Sequence, residues 1–126
     1  MKFSIGISLI FLLLVQYSCK KKERAGYGGN ASLKLSAMHH GEILDSVTFY
    51  VKFNSSDAPS DNSYDFTQSV KSGDSTVSIS GLKKGDYYIY ALGYDADIFE
   101  SVKGGVPYTI EEEKQIEVTV AVSEVH

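Results

Sequence analysis

Cysteine occurs once in the 126 residues, as Cys19, proline occurs twice, and tryptophan is absent. One cysteine excludes an internal disulfide and any Cys-rich zinc or iron–sulfur site. Positive charge is also scarce. Twelve Lys and Arg stand against 16 Asp and Glu, and a net charge of −4 lacks the basic face that nucleic acid requires. No glycine-rich loop opens a helix, so phosphate or nucleotide binding has no support. No serine sits in a Gly-x-Ser-x-Gly elbow, and nothing places two carboxylates at a shared cleft. The chain therefore implies neither an enzyme nor a cofactor. What is present suffices for a core: 43% of residues are apolar and 12% aromatic. The length fits one domain, typically about 100–150 residues.

Residues Ile5 to Val15 form an apolar run broken only by Gly6 and Ser8, after the single charge of Lys2. Eleven residues make about 16 Å of helix, whereas a bilayer core of about 30 Å needs about 20 residues. The run is too short for a stable span and predicts a secretory signal core. Cys19 follows closely, after the small residue Ser18. The stretch Val15-Gln16-Tyr17-Ser18-Cys19-Lys20-Lys21-Lys22 resembles the cleavage region of bacterial lipoproteins, with Gln16 where that family usually has Leu. The resemblance implies a signal peptide over 1–18, acylation of the Cys19 thiol, and a lipid-anchored chain in the cell envelope. Lys20 stands where some bacteria place an Asp to retain the protein in the inner membrane, which implies the outer membrane and leaves the leaflet open. A free thiol or an intermolecular disulfide is the rival reading of Cys19.

Residues 19–30 read as a basic tether. Lys20, Lys21, Lys22 and Arg24 stand against Glu23, and Ala25-Gly26-Tyr27-Gly28-Gly29-Asn30 is rich in glycine. Residues 31–126 carry seven Lys against 15 acidic residues. A basic stalk beneath an acidic domain suits an anionic membrane surface.

From Ala31 the apolar pattern has period two. Leu33, Leu35 and Ala37 alternate with polar residues. So do Val47, Phe49, Val51 and Phe53; Tyr64, Phe66, Gln68 and Val70; Val77 and Ile79; and Ile116, Val118, Val120 and Val122. His40-Gly41, Ser72-Gly73-Asp74, Lys84-Gly85-Asp86 and Gly104-Gly105 read as turns between them. The pattern predicts an all-β domain over 31–126, a single antiparallel β-sandwich of about seven strands. Asn54–Ser63 is its longest connection.

Ser80-Gly81-Leu82-Lys83-Lys84-Gly85-Asp86-Tyr87-Tyr88-Ile89-Tyr90-Ala91 resembles the Gly-Leu-x-x-Gly-x-Tyr-x-aliphatic segment of carboxypeptidase regulatory-like domains, which share the transthyretin (prealbumin) sandwich. Gly41–Phe49 and Ser72–Ile79 are similar to elements that precede it there. The resemblance implies a transthyretin-like fold, with an immunoglobulin-like sandwich as the alternative, and a non-catalytic module for binding or display. Leu82 would plug the core, Gly85 would take positive φ, and Tyr87, Ile89 and Ala91 would point inward.

Period two then puts Tyr88, Tyr90, Leu92 and Tyr94 on the outer face of one strand, a stripe about 20 Å long. Tyr50 extends it if its strand is adjacent. Such rings can stack on a glycan or dock a protein partner; cross-strand packing alone is the simpler reading. His39 and His40, as neighbours in extended chain, would point to opposite faces and could not share an ion; a turn could bring them round, but no Cys assists and His126 is terminal, so they read as exposed turn residues before Gly41 and no metal site is expected. Asp95, Asp97 and Glu100, with Asp57, Asp61 and Asp65, leave calcium as a minor alternative. Two further alternatives remain: an accessory subunit of an envelope complex, and an enzyme built from loop carboxylates and His39 or His40.

Overall fold

Alternation becomes strand over most of residues 24–125, the part described by a computed structural model. The elements are β1 (Tyr27–His39), β2 (Glu42–Ile43), β3 (Val47–Phe53), β4 (Phe66–Ser69), β5 (Val77–Leu82), β6 (Gly85–Asp95), β7 (Glu100–Ile110), β8 (Gln115–Ala121) and β9 (Ser123–Glu124). Residues 1–18, read from sequence as a signal peptide, and Cys19 lie outside the described residues.

The strands form two sheets around one core. In the first, Leu33 pairs with both Ile79 and Ile116, and Met38 with both Ile43 and Ala121. One edge of β1 therefore holds β5 and then β2, while the other holds β8. The second sheet runs β4-β3-β6-β7-β9. Ala31, Leu33, Leu35, Ala37, Val77, Ile79 and Leu82 face Val47, Phe49, Val51, Tyr87, Ile89, Ala91 and Val102 in a single buried cluster. Burial of a side chain such as Phe49 or Leu33 contributes about 1.5–3 kcal/mol.

Four features differ from the sequence reading. First, β1 and β8 run parallel, although every other pair is antiparallel. A parallel partner needs a long crossover, and the chain reaches β8 only after visiting the other sheet. Second, Gly104 and Gly105 are not a turn but the middle of β7. A Cβ on Gly104 would strike the carbonyl oxygen of Ala121, and one on Gly105 would strike the Tyr88 hydroxyl. Glycine serves close approach there. Pro107 is tolerated in the same strand because β9 covers only Val102 and Lys103, leaving that stretch of β7 at an edge. Third, β1 begins at Tyr27, inside the stretch read as tether. Fourth, there are nine strands rather than seven among the described residues, two of them only two residues long.

The chain enters the domain beside Gly85, whose φ of +139° and missing Cβ let the Ala25 backbone pass over it. Leu82 is fully buried, and Tyr87, Ile89 and Ala91 point inward as expected. β6 runs eleven residues from Gly85 to Asp95, a span of roughly 33 Å. One end of the sandwich thus receives the N-terminal segment, and the opposite end carries the β6–β7 turn.

Candidate functional site

Register assembles the tyrosine face. Tyr50 of β3 lies directly opposite Tyr90 of β6, with ring centroids 5.7 Å apart. Tyr88 leans over Gly105, where no side chain obstructs its ring. Tyr64 joins them from the connection before β4. Alternation had placed it with Phe66 toward the core, but the strand begins only at Phe66. The chain ahead of it turns through Asn62 at φ +57°. The Tyr64 ring lies 5.3 Å from Tyr50 and 6.1 Å from Tyr90, within 15° of parallel to the latter. Asp65 anchors this return: its backbone N–H donates to Val51 O at 2.9 Å, and its carboxylate accepts the Phe53 N–H at 2.7 Å.

This packing divides the stripe. Tyr50, Tyr64, Tyr88 and Tyr90 are half-buried against one another, while Leu92 and Tyr94 stay 39% and 40% exposed. Burial, then the neighbouring phenols, raises the pKa of Tyr64 and Tyr90. Beside Leu92 and Tyr94 runs an open groove of about 420 Å³, whose polar lining is Asp45, Ser46, Thr48, Ser69 and Ser101. Asp45 and Tyr94 also border a second cleft of about 250 Å³ that reaches Asp95 and Asp97. Flat apolar surface next to hydroxyls and a carboxylate can hold a polar ligand that has one apolar face.

At the same end of the sandwich, the histidines depart from the expectation of opposite faces. His40 takes φ +51°, a left-handed conformation that turns its ring back. The two imidazoles stack with centroids 3.8 Å apart and planes 24° from parallel. His39 is 3% exposed, and its Nδ1 lies 2.6 Å from Asp95 Oδ2. The Asp95 hydrogen bond raises the His39 pKa against the effect of burial, and the Glu124 carboxylate adds to the rise. The same bond lowers the Asp95 pKa. Glu124, from β9, is held low by a backbone hydrogen bond first and by His39 second.

The acidic residues considered for calcium do not converge. Asp95 is buried on His39, Asp61 accepts the Ser63 N–H at 3.0 Å, and Asp65 is committed to Phe53. The β6–β7 turn instead projects apolar side chains, with Phe99 80% exposed and Ile98 38% exposed. Periodicity gave no sign of Tyr64, Glu124 or Phe99 as surface features, because all three lie in or beside irregular chain. Comparisons with protein families, with curated proteins and with solved structures returned no match.

Proposed function

We propose that this chain is a lipid-anchored protein of the bacterial envelope, held through Cys19, whose all-β domain is a non-catalytic module that binds a saccharide. The domain takes the transthyretin-like form of carboxypeptidase regulatory-like modules. The reading rests chiefly on Leu92 and Tyr94, exposed beside a groove that Asp45, Ser46, Thr48, Ser69 and Ser101 line with hydroxyls and a carboxylate. A pyranose has an apolar C–H face and a polar rim. Tyr94 suits the face, and the groove suits the rim. Tyr50, Tyr64, Tyr88 and Tyr90 extend the aromatic floor toward the middle of the sheet.

The placement of the chain ends supports the same reading. The N-terminal segment enters beside Gly85, about 23–30 Å along β6 from the groove. An anchor at the Gly85 end leaves the groove turned away from the membrane. Acylated chains hold strongly, since each buried CH₂ contributes about 0.8 kcal/mol.

A glycan array probed with the detergent-solubilised protein tests the function. Binding that disappears in Tyr94→Ala while the fold is retained supports it, and an unaffected array pattern refutes it. Intact-mass analysis tests the anchor: a diacyl or triacyl mass increment at Cys19 is expected, and an unmodified thiol with residues 1–18 attached refutes it.

Phe99 favours a second reading. Phe99 and Ile98, 80% and 38% exposed, make an apolar tip on the β6–β7 turn, which suits an accessory subunit that docks a protein partner there. Cross-linking in membranes from cells carrying Phe99→Ser distinguishes it, because loss of an adduct seen with the unaltered protein is specific to this reading.

A further inference from the structure

Two imidazoles and a carboxylate converge where β1 ends and β9 begins. One donor atom each from His39, His40 and Glu124 lie within 4.8 Å of one another. Nε2 of His39 is 3.3 Å from Glu124 Oε2, and Nε2 of His40 is 3.6 Å from Glu124 Oε1. Two donors about 2.05 Å from a tetrahedral zinc ion stand about 3.3 Å apart. Each histidine–carboxylate distance is close to that spacing, though to a different oxygen of Glu124, and the three donors together lie within reach of one ion after small side-chain adjustment.

The second observation concerns His39 alone. Its side chain is 2% exposed, yet Nε2 has no hydrogen-bond partner among the described residues. Glu124 Oε2 is near but out of hydrogen-bonding alignment. A buried polar atom without a partner costs about 1–3 kcal/mol. An electron pair there would face a carboxylate oxygen, an arrangement that either a proton on Nε2 or a metal ion held between the two makes favourable. The other ring nitrogen is already set for this task. Asp95 Oδ2 takes Nδ1 at 2.6 Å, which places the proton on Nδ1 and leaves Nε2 free to ligate. Asp95 is itself fixed by accepting the Asp97 N–H at 3.0 Å. A carboxylate behind a ligating histidine is the usual support of a metal centre.

We propose that His39, His40 and Glu124 form a binding site for a divalent transition-metal ion of the zinc class, with Asp95 as the positioning residue for His39. The donor set is two neutral imidazole nitrogens and one carboxylate oxygen, which suits zinc and not the oxygen-only preference of calcium or magnesium. His40 has a side chain 67% exposed, so the fourth position opens to solvent. The ion would join the β1–β2 turn to the C-terminal strand, two elements otherwise linked through few backbone bonds. This inference is independent of the saccharide reading.

The full-length protein, solubilised in detergent and freed of metal with EDTA, is titrated calorimetrically with zinc chloride, with magnesium chloride as control. One zinc per chain and no magnesium is the expected result, together with a higher melting temperature in zinc. His40→Ala and Glu124→Gln, both at exposed or half-exposed positions, each weaken zinc by at least about tenfold. Asp95→Asn weakens it about 10–100-fold. Cobalt(II) added to the unaltered protein gives the intense visible bands of a four-coordinate site, and these fade in the variants. Absence of zinc binding at millimolar metal overturns the proposal. So does equal affinity in the His40→Ala/Glu124→Gln double variant, which would place the ion elsewhere in the chain.

Discussion

The phenol oxygen of Tyr87 accepts the backbone N–H of Gly26 at 2.9 Å and donates to the carbonyl of Lys83 at 2.7 Å, joining the segment that precedes β1 to the turn that opens β6. Lys83 N–H in turn donates to Gly26 O at 2.8 Å. The Tyr87 ring is wholly buried, with Phe53 packed edge-on at 5.6 Å.

Tyr87→Phe keeps the ring and removes the hydroxyl. Gly26 N–H and Lys83 O then lose a partner in a buried setting. The expected loss is about 1–3 kcal/mol of unfolding free energy, read from the urea midpoint. A midpoint unchanged within error would show that water replaces the hydroxyl at no cost.

Gly104 and Gly105 predict unequal outcomes for the same substitution. Gly104→Ala drives a methyl into the Ala121 carbonyl, which belongs to the backbone and cannot swing aside. Overpacking of this kind costs about 1–3 kcal/mol, and the melting temperature falls accordingly. Gly105→Ala meets only the Tyr88 ring end, which can rotate away. It should cost less stability and instead change tyrosine fluorescence.

Alkaline pH should loosen the tyrosine cluster. Burial raises the phenol pKa of Tyr64 and Tyr90 above the ordinary 10.0, so the unfolded chain releases these protons first. Their contribution is complete below pH 10.0 and is lost as pH climbs from there through the raised folded values. Urea midpoints measured across this range should decline, and the decline should be shallower in Tyr64→Phe.

Tyr94→Ala separates binding from folding. The side chain is 40% exposed and no ring contact holds it among the described residues. Stability should shift by no more than about 0.5 kcal/mol. Saccharide affinity should fall by about tenfold or more, measured by titration with the best array hit.

Much of the fold was legible because period two is a local property. Leu33, Phe49, Val51, Ile79, Tyr87 and Ile89 all lie inward where alternation placed them. β7 was hidden, since Gly104, Gly105 and Pro107 carry the marks of a turn, and only contact with Ala121 and Tyr88 explains them. The parallel partnership of β1 with β8 joins residues about 80 positions apart, and no local pattern encodes it. The tyrosine stripe was half legible. Tyr50 and Tyr90 followed from alternation, but Tyr64 depends on the path of an irregular connection. The histidine cluster was only partly legible: the turn at His40-Gly41 is a local signal, but the burial of His39 against Asp95 and Glu124, 56 and about 85 positions away, is not.

The position of β1 has a mechanical consequence. It is flanked on both sides, by β5 and β2 along one edge and by β8 along the other. A pull directed along the axis of this strand would load the bonds of both ladders together in shear rather than unzip them one after another. A strand held on both edges in this way would resist tension applied along it better than an edge strand would.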